Sequence, residues 1–186
     1  MEDLSRRLGI AKSSIYYHVD SKEDLLALAL DRALDGLFSV ADEVRSSGGP
    51  AIERLERLVR GSVCVLADRL PYVTLLLRAR GNSATERRAL ARRREFDQIV
   101  ADLVAEAERD SEIRPDVDPA ITARLLFGLV NSLVEWYRPG RRPTPASELA
   151  DAVCAVAFDG LRIRGPARQV QAAATAEHGD MRAVPQ

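Results

Sequence analysis

Histidine is almost absent. The 186-residue chain holds two, His18 and His178, near its opposite ends. With none between them, no side chain is available as a base for a serine or cysteine nucleophile, so no catalytic residue is assigned and an enzyme is not expected. Cysteine is equally scarce, and Cys64 and Cys154 stand far apart with no His or Cys near enough to complete a ligand set. They read as reduced thiols of a cytoplasmic protein, and neither a metal nor a cofactor is expected. No signal peptide and no apolar run of about twenty residues occurs, which argues against secretion and membrane spanning. Aromatic residues make up 5% of the chain, β-branched alternation is rare, and leucine, alanine and arginine are abundant. That mix points to an all-α fold. The net charge of −1 gives no global basic signature, so any contact with nucleic acid must be local.

What is present is concentrated in residues 3–22. Leu4 and Leu8 share one face of a short helix, and Gly9 supplies the turn at its end. A second short helix follows in which Ile15 is the buried side chain. Lys12, Ser13, Ser14, Tyr16, Tyr17 and His18 are polar or amphipathic. A helix with so little to bury is kept for its exposed face. Lysine suits a phosphate or a guanine edge, serine a phosphate or a base, and tyrosine and histidine suit backbone oxygens. The spacing is that of a helix-turn-helix, and from Arg6 to Lys22 four basic residues face one acid.

The run Gly9-Ile10-Ala11-Lys12-Ser13-Ser14-Ile15-Tyr16-Tyr17-His18-Val19, with Ser21-Lys22-Glu23-Asp24-Leu25-Leu26 after it, resembles the DNA-binding signature of the tetracycline-repressor family of bacterial regulators. The resemblance implies that Lys12, Ser13, Ser14 and Tyr17 face bases or nearby sugar-phosphate, and that Tyr16, His18 and Lys22 grip phosphates. Two positions depart from the pattern. Ala11 replaces a helix-capping serine, at a cost of about 1 kcal/mol, and Val19 replaces a phenylalanine. The family's DNA-binding head also has a further helix ahead of this motif, so the expected start of the protein lies upstream of Met1.

The rest of the chain reads as a series of amphipathic helices. Residues 21–45 form one long helix with Ser21 as its cap and Glu23 and Asp24 in its first turn. By resemblance it links the head to the body and carries the ligand signal. Residues 51–68, 72–80, 84–109, 119–137 and 147–164 follow, with breaks at Gly48-Gly49-Pro50, Leu70-Pro71, Arg114-Pro115 and Pro139-Gly140. Three units are expected: residues 1–45 as DNA-binding head with linker helix, 46–164 as a ligand-binding and dimerisation domain, and 165–186 as a disordered tail. The last two helices carry a broad apolar arc. The resemblance implies that they form the interface of a homodimer, whose paired heads read a palindromic double-stranded operator.

Tyr72, Leu76, Phe96, Val100, Phe127, Asn131, Val134 and Trp136 are candidate walls of a ligand pocket, with Asn131 as the polar group in an apolar run. Arg78, Arg80, Arg87, Arg88, Arg92, Arg93 and Arg94 form an arginine-rich stretch, which suits either a solvated helix face or the landing site of an anion. Trp136-Tyr137-Arg138-Pro139-Gly140, with residues 144–149 after it, is similar to the corresponding segment of family branches that respond to acyl-CoA thioesters. Such an effector would lay its acyl chain on the apolar helices and its phosphates on Arg78, Arg80 and Arg138. The expected function is therefore a ligand-released repressor. The alternative is a helical small-molecule-binding or interaction module that does not bind DNA.

Overall fold

The computed structural model describes residues 21–140 and 144–161, which form six helices and no strand. They are α1 (Lys22–Ser46), α2 (Ala51–Asp68), α3 (Leu70–Arg78), α4 (Ala84–Arg109), α5 (Pro119–Trp136) and α6 (Ala146–Leu161). The DNA-contacting side chains assigned from Lys12 to His18, and the tail 165–186, lie outside the described residues.

The caps act as the sequence suggests. Ser21 accepts a hydrogen bond from the Asp24 N–H at 3.1 Å, and Asp118 accepts from the Ala120 and Ile121 N–H groups at 2.9 and 3.0 Å ahead of Pro119. One boundary differs from expectation. Leu70-Pro71 does not separate α2 from a helix starting at Tyr72. A single residue, Arg69, breaks the helix, and Pro71 lies in the first turn of α3, where its missing N–H costs nothing.

α2 lies at the centre, packed against α1, α3, α4, α5 and α6. α1 lies across α2, α3 and α4, whereas α6 rests almost entirely on α2 and meets α5 only briefly. The core runs through Leu30 and Leu34 of α1, Leu55, Leu58, Val59 and Val63 of α2, Phe96, Val100 and Val104 of α4, and Leu133 of α5. Fully burying a side chain of this size contributes about 1.5–3 kcal/mol. Two glycines let α1 approach α2. A Cβ at Gly61 would collide with Val40, and one at Gly36 would lie 2.8 Å from Arg69 Nη1 and 2.9 Å from Val65 Cγ1. Arg69 Nη1 donates to the Arg32 carbonyl across this crossing at 2.5 Å.

Between α3 and α4 the chain turns through Gly81 at φ +88°. The carboxylate of Glu86 holds that turn by accepting from the N–H groups of Arg80, Gly81 and Asn82 at 2.9, 2.8 and 2.9 Å. Ser83 caps α4 by accepting from the Glu86 N–H at 3.2 Å. No helix among the described residues is long and apolar enough to cross a membrane.

Candidate functional site

A groove of about 390 Å³ lies between α4 and α5. Helical spacing builds it: Arg93, Arg94, Asp97, Gln98, Val100 and Ala101 of α4 face Ala120, Ala123, Arg124, Phe127, Gly128 and Asn131 of α5. The alanines and Gly128 keep the floor open, Val100 and Phe127 make it apolar, and three arginines stand around the mouth. Beneath it lies a small cavity of about 30 Å³, lined mostly by apolar residues of α1, α2, α3, α4 and α5, with Ser62, Arg93, Asp97 and Asn131 as its polar members. The two spaces share Arg93, Asp97, Phe127 and Asn131.

The electrostatics favour an anion. Asp97 is the one acid in the groove. Desolvation pushes its carboxyl above the ordinary aspartate range, and Arg93 and Arg124 oppose that shift. Arg93, Arg94 and Arg124 thus outnumber the local negative charge, and the side-chain amides of Gln98 and Asn131 can hydrogen-bond a polar ligand. Among the described residues there is no cluster of His, Cys, Asp and Glu able to hold a metal.

Among the eight walls expected from the sequence, taken with the phosphate contact Arg78, the residues Val100, Phe127 and Asn131 line the groove, and Leu76 and Phe96 line the small cavity below it with Phe127 and Asn131. The other four stand outside both. Tyr72 is 36% exposed, with the Arg32 guanidinium 5.7 Å from its ring centroid, and Trp136 is 59% exposed at the end of α5. Val134 packs against the core, and Arg78 is exposed in the last turn of α3. Nor is Arg138 free for a phosphate: its guanidinium donates to the carbonyls of Val134, Glu135 and Tyr137, closing the C-terminus of α5. Lys22, assigned to a DNA phosphate, is the exposed first residue of α1.

Sequence reasoning missed Asp97, Gln98 and Arg124. The signal was available in each case. Asp97 and Gln98 lie one turn after Arg93 and Arg94, and Arg124 is a charged residue inside an otherwise apolar helix, seven residues before Asn131. The arginine-rich stretch resolves into separate uses. Arg92 binds α1, with Nη1 3.1 Å from Asp31 and Nη2 3.0 Å from Asp35. Arg87 donates to the Gly81 carbonyl, and only Arg93 and Arg94 of the stretch reach the groove.

A second exposed feature lies on the outer faces of α5 and α6. Ile121, Leu125 and Gly128 follow one another at helical spacing on α5, and Val156 and Gly160 do so on α6. Ile121, Leu125 and Val156 are 52%, 66% and 71% exposed. A Cβ at Gly128 or Gly160 would meet nothing within 4 Å.

Comparisons with known proteins identify the family. Residues 48–161 match the family model of the tetracyclin repressor-like C-terminal domain. A crystal structure of a member of the TetR transcriptional regulator family from Streptomyces coelicolor is 52% identical, with a TM-score of 0.78 over 87% of this chain and 82% of that one. The HTH-type transcriptional repressor KstR2 of Rhodococcus jostii is 28% identical over 171 residues, which are 87% of this chain and 80% of the relative. AibR, solved in complex with isovaleryl coenzyme A and operator DNA, is 24% identical, with a TM-score of 0.68 over 83% of this chain and 84% of AibR. The chain is a member of the tetracycline-repressor family of transcriptional regulators, not an enzyme.

Proposed function

We propose that this protein is a cytoplasmic, ligand-released repressor that binds a palindromic operator as a homodimer, and that its effector, an acyl-CoA thioester or similar anionic amphiphile, binds between α4 and α5. The observation that carries this reading is the α4–α5 groove, where three arginines surround an apolar floor. Its volume of about 390 Å³ is in the range of ligand sites. The open mouth leaves the bulk of a coenzyme outside while its acyl end lies on Phe127 and the alanines beside it. Support also comes from AibR, which shares the fold and was solved with a CoA thioester and operator DNA.

In the head, Lys12, Ser13, Ser14 and Tyr17 face bases or adjacent sugar-phosphate, while Tyr16, His18 and Lys22 hold phosphates. One short recognition helix covers a single half-site. A two-fold dimer sets two of them about 34–36 Å apart, one turn of duplex. The exposed Ile121 and Leu125 of α5 and Val156 of α6 suit a second copy as occupant, with Gly160 allowing close helix approach.

Fluorescence anisotropy of the full-length protein on the duplex upstream of its own coding sequence, against a scrambled duplex, tests this reading. Isovaleryl-CoA is expected to weaken operator binding by roughly 5–150-fold, the usual span of such couplings, and free isovalerate to leave it unchanged. Equal binding to both duplexes would remove the repressor reading. Operator binding that neither compound changes would remove the thioester.

A further inference from the structure

No residue of α1 lines the α4–α5 groove, and α4, packed against both α1 and α5, offers side-chain connections that cross it. Two connections do so, and they differ in kind. The first is aromatic. Phe127, in the groove wall on α5, meets Phe96 of α4 edge-on, with centroids 5.3 Å apart and planes at 78°. Phe96 in turn meets Phe38 of α1 edge-on, at 6.0 Å and 74°. Phe96 is 2% exposed, and the cavity of about 30 Å³ that it borders is too small to take a displaced ring, so its motion passes to the neighbouring side chains.

The second connection is ionic. Arg92 is the residue before groove-lining Arg93, yet, about 100° round the helix, it faces α1. It reaches Asp31 and Asp35 of α1, and its guanidinium carbon lies 5.2 Å from the Phe38 ring centroid. Arg92 lines neither the groove nor the cavity beneath it. Asp31 and Asp35 are 39% and 64% exposed, so these pairs are softened by solvent and salt.

We infer that the stack Phe127–Phe96–Phe38 transmits effector occupancy from the groove to the linker helix, while Arg92 anchors that helix to α4 without sensing the groove. The inference rests on the α4–α5 groove being the effector site. Phe96 and Phe38 are positioning residues. Neither lines the groove: Phe96 touches the effector site only through Phe127, and Phe38 only through Phe96.

The chain's four phenylalanines make the test direct. Full-length protein labelled with p-fluorophenylalanine gives one fluorine resonance each for Phe38, Phe96, Phe127 and Phe158, the last buried on α6 as an internal reference. Without any ligand, Phe127→Leu is expected to shift the Phe38 resonance and not that of Phe158. In a Phe96→Leu background that shift disappears, and in Arg92→Gln it persists. Phe96→Met replaces Phe96→Leu if the latter loses helicity. Isovaleryl-CoA is expected to move Phe127, Phe96 and Phe38 together. A Phe38 resonance that ignores Phe127→Leu, or responds equally in the Phe96→Leu protein, overturns the relay. So does an isovaleryl-CoA shift confined to Phe127. If isovaleryl-CoA moves no resonance while Phe127→Leu still moves Phe38, the thioester assignment fails and the relay is supported.

Discussion

The carboxylate of Glu23, in the first turn of α1, accepts a hydrogen bond from the backbone N–H of Thr85 at the start of α4, with N···O 3.4 Å. Ser83 and Thr85, with Arg88 nearby, hold that carboxyl below the ordinary glutamate value of 4.5. The contact ties the first turn of α1 to the N-terminus of α4, where the helix dipole also favours a negative charge.

A depressed folded-state pKa stabilises the protein above the unfolded value and ceases to do so as the pH falls through the folded one. Glu23→Gln is therefore expected to lower the melting temperature at neutral pH. The gap between wild type and variant should close as the pH drops below 4.5. Calorimetric melts across that range measure it, and a gap independent of pH would assign the effect to packing.

Asp97 predicts the opposite sign. Desolvation raises its folded-state pKa above the ordinary 3.8, so the stability tied to its neutral form is present below that value and lost as the pH rises through the raised one. Asp97→Asn is expected to raise the melting temperature at neutral pH, with the gain vanishing below 3.8. The same change removes the negative charge beside Arg93 and Arg124, so isovaleryl-CoA should bind it more tightly. Arg124→Gln should bind about tenfold more weakly or worse, as expected for a lost charged hydrogen bond of about 1.5–3 kcal/mol. Titration calorimetry at two salt concentrations checks both.

The crossing of α1 over α2 leaves no room at Gly61. Alanine is the better helix former by about 1 kcal/mol, yet Gly61→Ala must push Val40 aside. A net loss of about 1–3 kcal/mol is expected from overpacking, read from urea unfolding. Gly128→Ala, with open space above it, should instead leave the unfolding free energy of a dilute monomer unchanged or raised.

Leu125→Glu places a charge in the exposed stripe of α5 without touching the core. Light scattering is expected to find a dimer in the wild type and a monomer in this variant, with helicity retained. A monomeric wild type would remove the proposed interface.

Much of the fold was legible in the chain because punctuation and periodicity coincide. Ser21, Pro50, Asp118 and Pro119 open helices where they should, and α2 and α4 keep the expected limits of residues 51–68 and 84–109. Pro71 misled because a proline marks either the end of one helix or the first turn of the next, and only the tertiary path decides. The groove was half legible. Phe127, Val100 and Asn131 announce an inner face, but which neighbour that face meets is set by the packing of α4 on α5. Tyr72 and Trp136 were attractive as large aromatics, yet each sits near the end of its helix, where the bundle offers no cover. Arg138 illustrates a different ambiguity. A cation just after a helix serves phosphates and terminal carbonyls equally well, and here the carbonyls at the end of α5 hold it.

Because α6 rests almost wholly on α2 and leaves its far side bare, much of its cover comes from a second molecule in the proposed dimer. Mass action then makes stability a function of abundance: dilution lowers the melting temperature, and scarce copies unfold and are degraded faster than plentiful ones.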